Sequence, residues 1–302
     1  MFLPKTSIFS LFLLLFIFFG GGCASAPSNN STEQDLDLQK GILWKISKPG
    51  VSPSYVFGTI HSEDERVVNL PDEVNDVFTG SDTLAVEMIL DEENTRTITQ
   101  GMFFHNGNTL KKILQPETYQ NVVKVMSLRG FQEKVVNIMK PWAVFTVLNM
   151  PEQQTGLFLD AVLYQAAEKH DKNIIGLETV EEQLAVLDEL SLDIQVNLLE
   201  SSLNSKEDFS QILEETISIY LAHDLNAILA LNDRYSKLLD KNIADMFNKR
   251  LIVDRNVRMV KRMKGLLEKG NAFIAVGALH LPGKLGILKL LQGMGYSVQA
   301  VY

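Results

Sequence analysis

Two of the five histidines in this 302-residue chain close apolar runs in the same way. His61 ends VFGTIH (56–61) and His280 ends AVGALH (275–280), each three residues after a glycine. Two carboxylates fall in comparable places, Glu87 inside LAVEMIL (84–90) and Glu178 at the end of NIIGLE (173–178). Two imidazoles and two carboxylates could hold a divalent metal such as Zn or Mn, or form an acid/base set without metal. Gly58 and Gly277 would let the backbone turn, or approach a neighbouring strand closely, just before each histidine.

This chemistry needs strands that end together. ILWKIS (42–47) and SYVFGTI (54–60) flank the turn-rich KPGVSP and read as a hairpin. DTLAVEMIL (82–90), NIIGLE (173–178), AFIAVGA (272–278) and YSVQAVY (296–302) are further short strand candidates. In open α/β sheets, ligands bind outside the carboxyl ends of the strands, where all four ionisable residues would converge. Glu87 has a competing reading, because strand alternation could expose it.

Between about 91 and 269 the spacing is mainly helical, as in ETYQNVVKVMSL (117–128), VNIMKPWAVFTVLNM (136–150), SQILEETISIYLAHD (210–224) and LNAILALNDRYSKLLD (225–240). The predicted fold class is α/β: a mixed central sheet from strands at both chain ends, with a large mainly helical insertion. Residues 242–270 read as one long helix ending at Gly270. At 100° per residue, Val253, Val257, Val260, Met263 and Leu267 form its apolar stripe, with Asn256 near the centre and Arg255 at the edge. A buried amide needs partners, which marks Asn256. Arg250, Arg258, Lys261 and Arg262 fall on a solvated face. Asp160 is the lone charge in LFLDAVL, with exposure or helix capping as alternatives. His105, His170 and His223 read as surface residues.

At net charge −9 the chain is not built for a nucleic-acid partner. It has no G-x-S-x-G, H-E-x-x-H, P-loop or G-x-G-x-x-G. Its one cysteine excludes an intramolecular disulfide or a cysteine-based zinc site. Lys5, the apolar run Ile8 to Phe19 and the small residues before Cys23 have the layout of a signal peptide over 1–22. Cys23 resembles the lipidated cysteine of bacterial lipoproteins, although Gly20 stands where leucine is usual. The polar residues 23–40 then read as a tether to a domain spanning 41–302. The expected location is the exported face of a bacterial cell envelope, anchored by lipid to the outer membrane or the outer face of the plasma membrane.

LWKIS with YVFGTIH, VEM around Glu87, PWAV (141–144), Asp160, GLETVEEQL (176–184), DRNVRM (254–259) and FIAVGALHLPGKLGILKLLQGMGYSV (273–298) resemble, in order and spacing, the TraB/PrgY/GumN family. The resemblance runs from about Leu43 to Val301. It implies an α/β fold related to erythromycin esterase-like and ChaN-like proteins, and a site built from both G-x-x-H histidines and a glutamate. The family's Tiki-type members are metal-dependent proteases favouring Mn or Co, whereas the esterase relatives work without metal. The leading expectation is a divalent-metal-dependent peptidase using Mn, Co or Zn. His61, His280 and one of Glu87 or Glu178 would be ligands, the remaining glutamate the general base, and Asn256 or Arg255 would orient the ligand or stabilise the oxyanion. Its rivals are a metal-independent esterase-like hydrolase and a lipoprotein that binds a peptide or small molecule without turnover.

Overall fold

The computed structural model describes residues 38–150, 155–204, 209–237 and 239–302. The expected signal peptide, the lipidated Cys23 and most of the expected tether lie outside the described residues. The described residues fall into two compact units. One draws on 90–150 and 180–212, the other on 38–89, 155–179 and 213–302.

The second unit carries a six-stranded mixed sheet in the order β4-β3-β5-β2-β1-β6. The strands are β1 (Leu43–Ser47), β2 (Ser54–Thr59), β3 (Thr83–Val86), β4 (Asn173–Gly176), β5 (Ala272–Gly277) and β6 (Ser297–Ala300). Each coincides with an apolar run anticipated above, and β1 and β2 form the expected antiparallel pair. β4, β3, β5 and β2 run parallel to one another, and β6 pairs antiparallel with β1. The fold class is therefore α/β.

Alternation along β5 splits the core. Phe273 and Ala275 pack with Phe57, Leu84, Phe78 and Leu163, while Ile274 and Val276 pack with Val56, Met259, Met263 and Leu288. Helices Asp72–Gly80 and Leu159–Lys169 contribute to the first cluster, and helices Asp254–Lys269 and Ile287–Gly293 to the second. A sheet buried on both faces demands continuous apolar strands, and β5 is buried at all six positions.

Two helical expectations change. Residues 136–150 are not one amphipathic helix: a short helix ends at Val136 and another runs Pro141–Leu148. Proline disfavours the helical region for the residue before it and suits the first helical position. Pro141–Leu148 is buried at every position but the last, and Trp142 Nε1 donates to Asp188 Oδ1 at 2.8 Å within the same unit. The long helix of 242–270 is helical throughout Lys241–Lys269 but widens in the middle: Lys241–Phe247, a π-helical turn Asn248–Val253, and Asp254–Lys269. Val253 sits in the wider turn, so its azimuth does not continue the 100° series. The buried stripe of the last helix is accordingly Arg255, Asn256, Met259, Val260, Met263 and Leu267, and Val257 is 52% exposed.

Candidate functional site

The site assembles where the parallel strands stop. The register pairs Thr59 with Gly277 across β2 and β5, so His61 and His280 leave the same end of adjacent strands. The ladder between β3 and β4 continues past their ends. Leu177 N donates to Val86 O at 2.8 Å and Glu178 N to Glu87 O at 2.7 Å, which brings the two glutamates side by side. His61, Glu87, Glu178, Arg255, Asn256 and His280 are all at most 5% exposed. Glu87 is therefore buried, and its alternative reading as an exposed strand residue falls.

Arg255 joins the carboxylates. Its Nη2 donates to Glu87 Oε2 at 2.6 Å and its Nε to Glu178 Oε2 at 2.7 Å. Arg258 Nη1 donates to the other Glu178 oxygen at 2.7 Å, and Arg262 Nη1 to the Leu177 carbonyl at 2.7 Å. These two arginines were expected on a solvated face; long side chains carry their charged ends back to the β4 terminus. The second Glu87 oxygen, Oε1, accepts from Gly277 N at 2.7 Å. Burial alone would lower the Arg255 pKa, but Glu178 and Glu87 overcome it and raise the value.

His280 is held by an unambiguous chain. Asn256 Nδ2 donates to the Leu285 carbonyl at 2.8 Å, and that oxygen can only accept. The Asn256 Oδ1 must then face His280 Nδ1, at 2.5 Å, so Nδ1 carries the proton. Nε2 is left with the lone pair, 3.8 Å from Glu87 Oε1. Burial first, and then the Arg255 charge, push the His280 pKa well below its ordinary value. The ring is neutral at physiological pH.

His61 has a different partner. Its Nδ1 lies 3.2 Å from Asp160 Oδ2, off the line of a good hydrogen bond, and its ring meets Phe158 edge-on at 5.2 Å. The Thr59 hydroxyl donates to Asp160 Oδ1 at 2.8 Å. Burial lowers the His61 pKa to about 3, and burial with the nearby Glu87 charge raises that of Asp160 to about 8. Asp160, at 4% exposure, is neither an exposed residue nor a cap. Sequence reasoning flagged it as a lone charge in an apolar turn but could not supply its partner; Thr59 escaped notice altogether. His105 and His170 are exposed, as expected, whereas His223 is half-buried with its ring 4.4 Å from that of Tyr302.

The two motif glycines serve close approach. A Cβ on Gly58 would lie 2.8 Å from Leu281 Cδ1, and one on Gly277 would lie 3.3 Å from Glu87 Oε1.

Of the expected ligands, His280 Nε2 lies 3.8 Å from Glu87 Oε1, while His61 Nδ1 lies 3.2 Å from Asp160 Oδ2. Among the described residues no cluster of three His, Cys, Asp or Glu side chains is arranged to hold an ion. The physical reason is Arg255, which already supplies positive charge to both glutamates. A divalent cation at Glu87 would have to share the carboxylate with the Arg255 guanidinium and the Gly277 amide.

The chain matches the TraB/PrgY/gumN family over residues 42–300. It is 27% identical to Metalloprotease TIKI1 of Xenopus tropicalis, covering 96% of this chain and 68% of that protein. It is 27% identical to Metalloprotease TIKI1 of Homo sapiens, covering 91% and 65%. The Uncharacterized protein YbaP of Shigella flexneri is 26% identical over 82% of this chain and 90% of its own length. This chain thus spans only about two thirds of the named metalloproteases. No solved structure matches it. The matched span contains both G-x-x-H turns, the two strand-end glutamates and the Arg255 bridge between them, and the chain belongs to the TraB/PrgY/gumN family.

Proposed function

We propose that this protein is a hydrolase that adds water to a peptide or ester carbonyl, with His280 as general base. The observation that carries this reading is the Leu285 to Asn256 to His280 chain, which fixes one tautomer of a buried neutral imidazole. Its Nε2 takes a proton from water as the oxygen attacks the carbonyl carbon, and returns it to the leaving group when the tetrahedral intermediate collapses. Glu87, 3.8 Å away, stabilises the imidazolium as it forms.

His61 plays the complementary part. Near neutral pH Asp160 is mainly protonated, and the Thr59 bond to Oδ1 leaves that proton on Oδ2, facing His61 Nδ1. The imidazole proton then resides on Nε2, which has no hydrogen-bond partner among the described residues. An Nε2–H in this place donates to the developing oxyanion. Arg255 and Arg258 fix the glutamates and set the field.

The names of the Tiki relatives favour a second reading, metal-dependent peptide cleavage with His61, His280 and Glu87 as ligands. Assays of the purified protein on peptides and on esters, in chelator and with added Mn, Co or Zn, separate the two. Turnover in chelator that His280→Ala abolishes supports the first reading, and turnover only with metal supports the second. No turnover under any condition sinks both, and ligand binding without turnover would then favour a sequestering lipoprotein.

The apolar run Ile8 to Phe19 and the small residues preceding Cys23 support export and lipid anchoring at Cys23. Cys23→Ser should release the protein from the membrane fraction; unchanged partitioning would refute the anchor.

A further inference from the structure

Thr59, His61 and Glu63, spaced two residues apart as the chain leaves β2, all reach one other segment, 155–160. The Thr59 hydroxyl and His61 Nδ1 meet the Asp160 carboxyl, and the His61 ring meets Phe158. Glu63 takes the far end of that segment. Its Oε2 accepts from Thr155 N at 2.8 Å and from the Thr155 hydroxyl at 3.1 Å, and its Oε1 accepts from Gly156 N at 2.7 Å. Three donors converging on two oxygens suit a carboxylate, which only accepts; a carboxamide there would turn its NH2 toward at least one of them.

Both sides of this clasp are fixed locally. Ser62 N donates to the Ile60 carbonyl at 2.9 Å, the Ser62 hydroxyl accepts from Asp64 N at 3.1 Å, and Asp64 caps the helix Glu65–Val68. On the other side, Gly156 lies in the left-handed region (φ 74°), a conformation that aims successive amides at one anion. From exposed Thr155 the chain turns inward to Phe158, Leu159 and Asp160, all buried. The helix Leu159–Lys169 starts at Phe158 with no side-chain cap, which leaves the Glu63 carboxylate to anchor the residues that lead into it.

We infer that Glu63 is a positioning residue of the site: by holding Thr155 and Gly156 it keeps Phe158 and Asp160 against His61 and so sets the direction in which the imidazole presents Nε2. What that direction serves, donation to the oxyanion, rests on the hydrolase reading above.

The test reads His61 itself. The ring nitrogens of the full chain, labelled with isotopic histidine, are followed by NMR in wild type, Glu63→Gln and Thr155→Val, with the His61 signals assigned from their loss in His61→Phe. Wild type should show one His61 tautomer. Glu63→Gln should give mixed tautomers or broadened lines at His61, and Thr155→Val a smaller change of the same kind. His280, held by Asn256, should not move. Mixed tautomers already in wild type, His61 signals unchanged in Glu63→Gln, or a His280 change as large as that of His61 would each overturn the inference. Hydrolysis of p-nitrophenyl acetate and of fluorescein-labelled casein gives a second readout. Glu63→Gln should lower kcat by about 10-fold with KM unchanged, and should cost nothing further in a His61→Phe background. An equal loss in both backgrounds also overturns the inference, because Glu63 would then act without His61. Absence of turnover in wild type counts against the hydrolase reading alone; the His61 signals still decide the positioning role.

Discussion

His280 and His61 follow the same G-x-x-H spacing and end adjacent parallel strands, yet one is tied to an amide and the other to a carboxyl group. Asn256 cannot titrate, so the His280 tautomer is fixed at any pH at which the protein is folded. Asp160 does titrate, and its proton decides whether His61 presents a donor or an acceptor at Nε2. The difference shows that a repeated motif need not mean repeated surroundings; under the mechanism proposed above one imidazole serves as base and the other as donor. Arg255 is common to both, lying close enough to lower each histidine's pKa.

Removing that shared charge is the largest perturbation. Arg255→Met leaves Glu87 and Glu178 buried without their bridging partner and should cost about 3–5 kcal/mol in urea unfolding. A loss under about 1 kcal/mol would mean that Arg258 alone suffices for Glu178 and that the bridge is unimportant.

The next largest effect separates the two arms. His280→Ala should lower kcat by about 10²–10⁴, as expected for loss of a general base. His61→Phe should lower it by about 10²–10³, the range for one oxyanion donor. A His61 variant that raises KM and spares kcat would move His61 from transition-state stabilisation to ground-state binding.

Asn256→Ala should act through His280, with a fall in kcat of about 10- to 100-fold from a misplaced imidazole. A merely structural role would lower stability and leave the activity of the folded fraction intact, so both quantities must be measured on the same preparation.

The smallest effect is the pH dependence of stability, and here the arms oppose each other. Folded Asp160 keeps its proton to about pH 8, whereas the unfolded chain releases it near 3.8; its contribution is full below 3.8 and is lost as pH rises through 8. Folded His61 binds a proton only below about 3 against 6.5 unfolded, so its contribution is present above 6.5 and is lost as pH falls toward 3. From about pH 7.5 to 8 His61 is deprotonated in both states, and the Asp160 contribution should lower stability by at most about 1.4 kcal/mol per pH unit. Asp160→Asn should flatten the profile in that window. Parallel profiles for wild type and variant would show that the carboxyl titrates normally.

Much of this site was legible in the sequence. Glu87, Glu178, His61 and His280 stood out because an ionisable residue at the end of an apolar β-branched run is costly to place unless it is used. Asn256 stood out by helical azimuth, and the structure leaves it 0% exposed. Arg255 was placed at the edge because Val253 and Val257 were counted in the apolar stripe, whereas Val253 lies in the π-turn and Val257 is 52% exposed, so the buried face is centred nearer Arg255. Arg258 was misjudged because azimuth locates a Cα and not the end of a six-bond side chain. Asp160 carried a signal with no partner attached to it.

The sequence by itself determined where strands end, which residues stand at those ends, and the family to which the chain belongs. Those features are local, written in apolar runs, turn residues and ordered motifs. Tertiary structure decided who pairs with whom: Arg255 with a glutamate 77 residues away and another 168 residues away, His280 with an amide, His61 with a carboxyl. Such pairings depend on strand register and on the helix phase after a π-turn, and both are set by packing between distant segments. That packing set Arg255 between Glu87 and Glu178 at the strand ends.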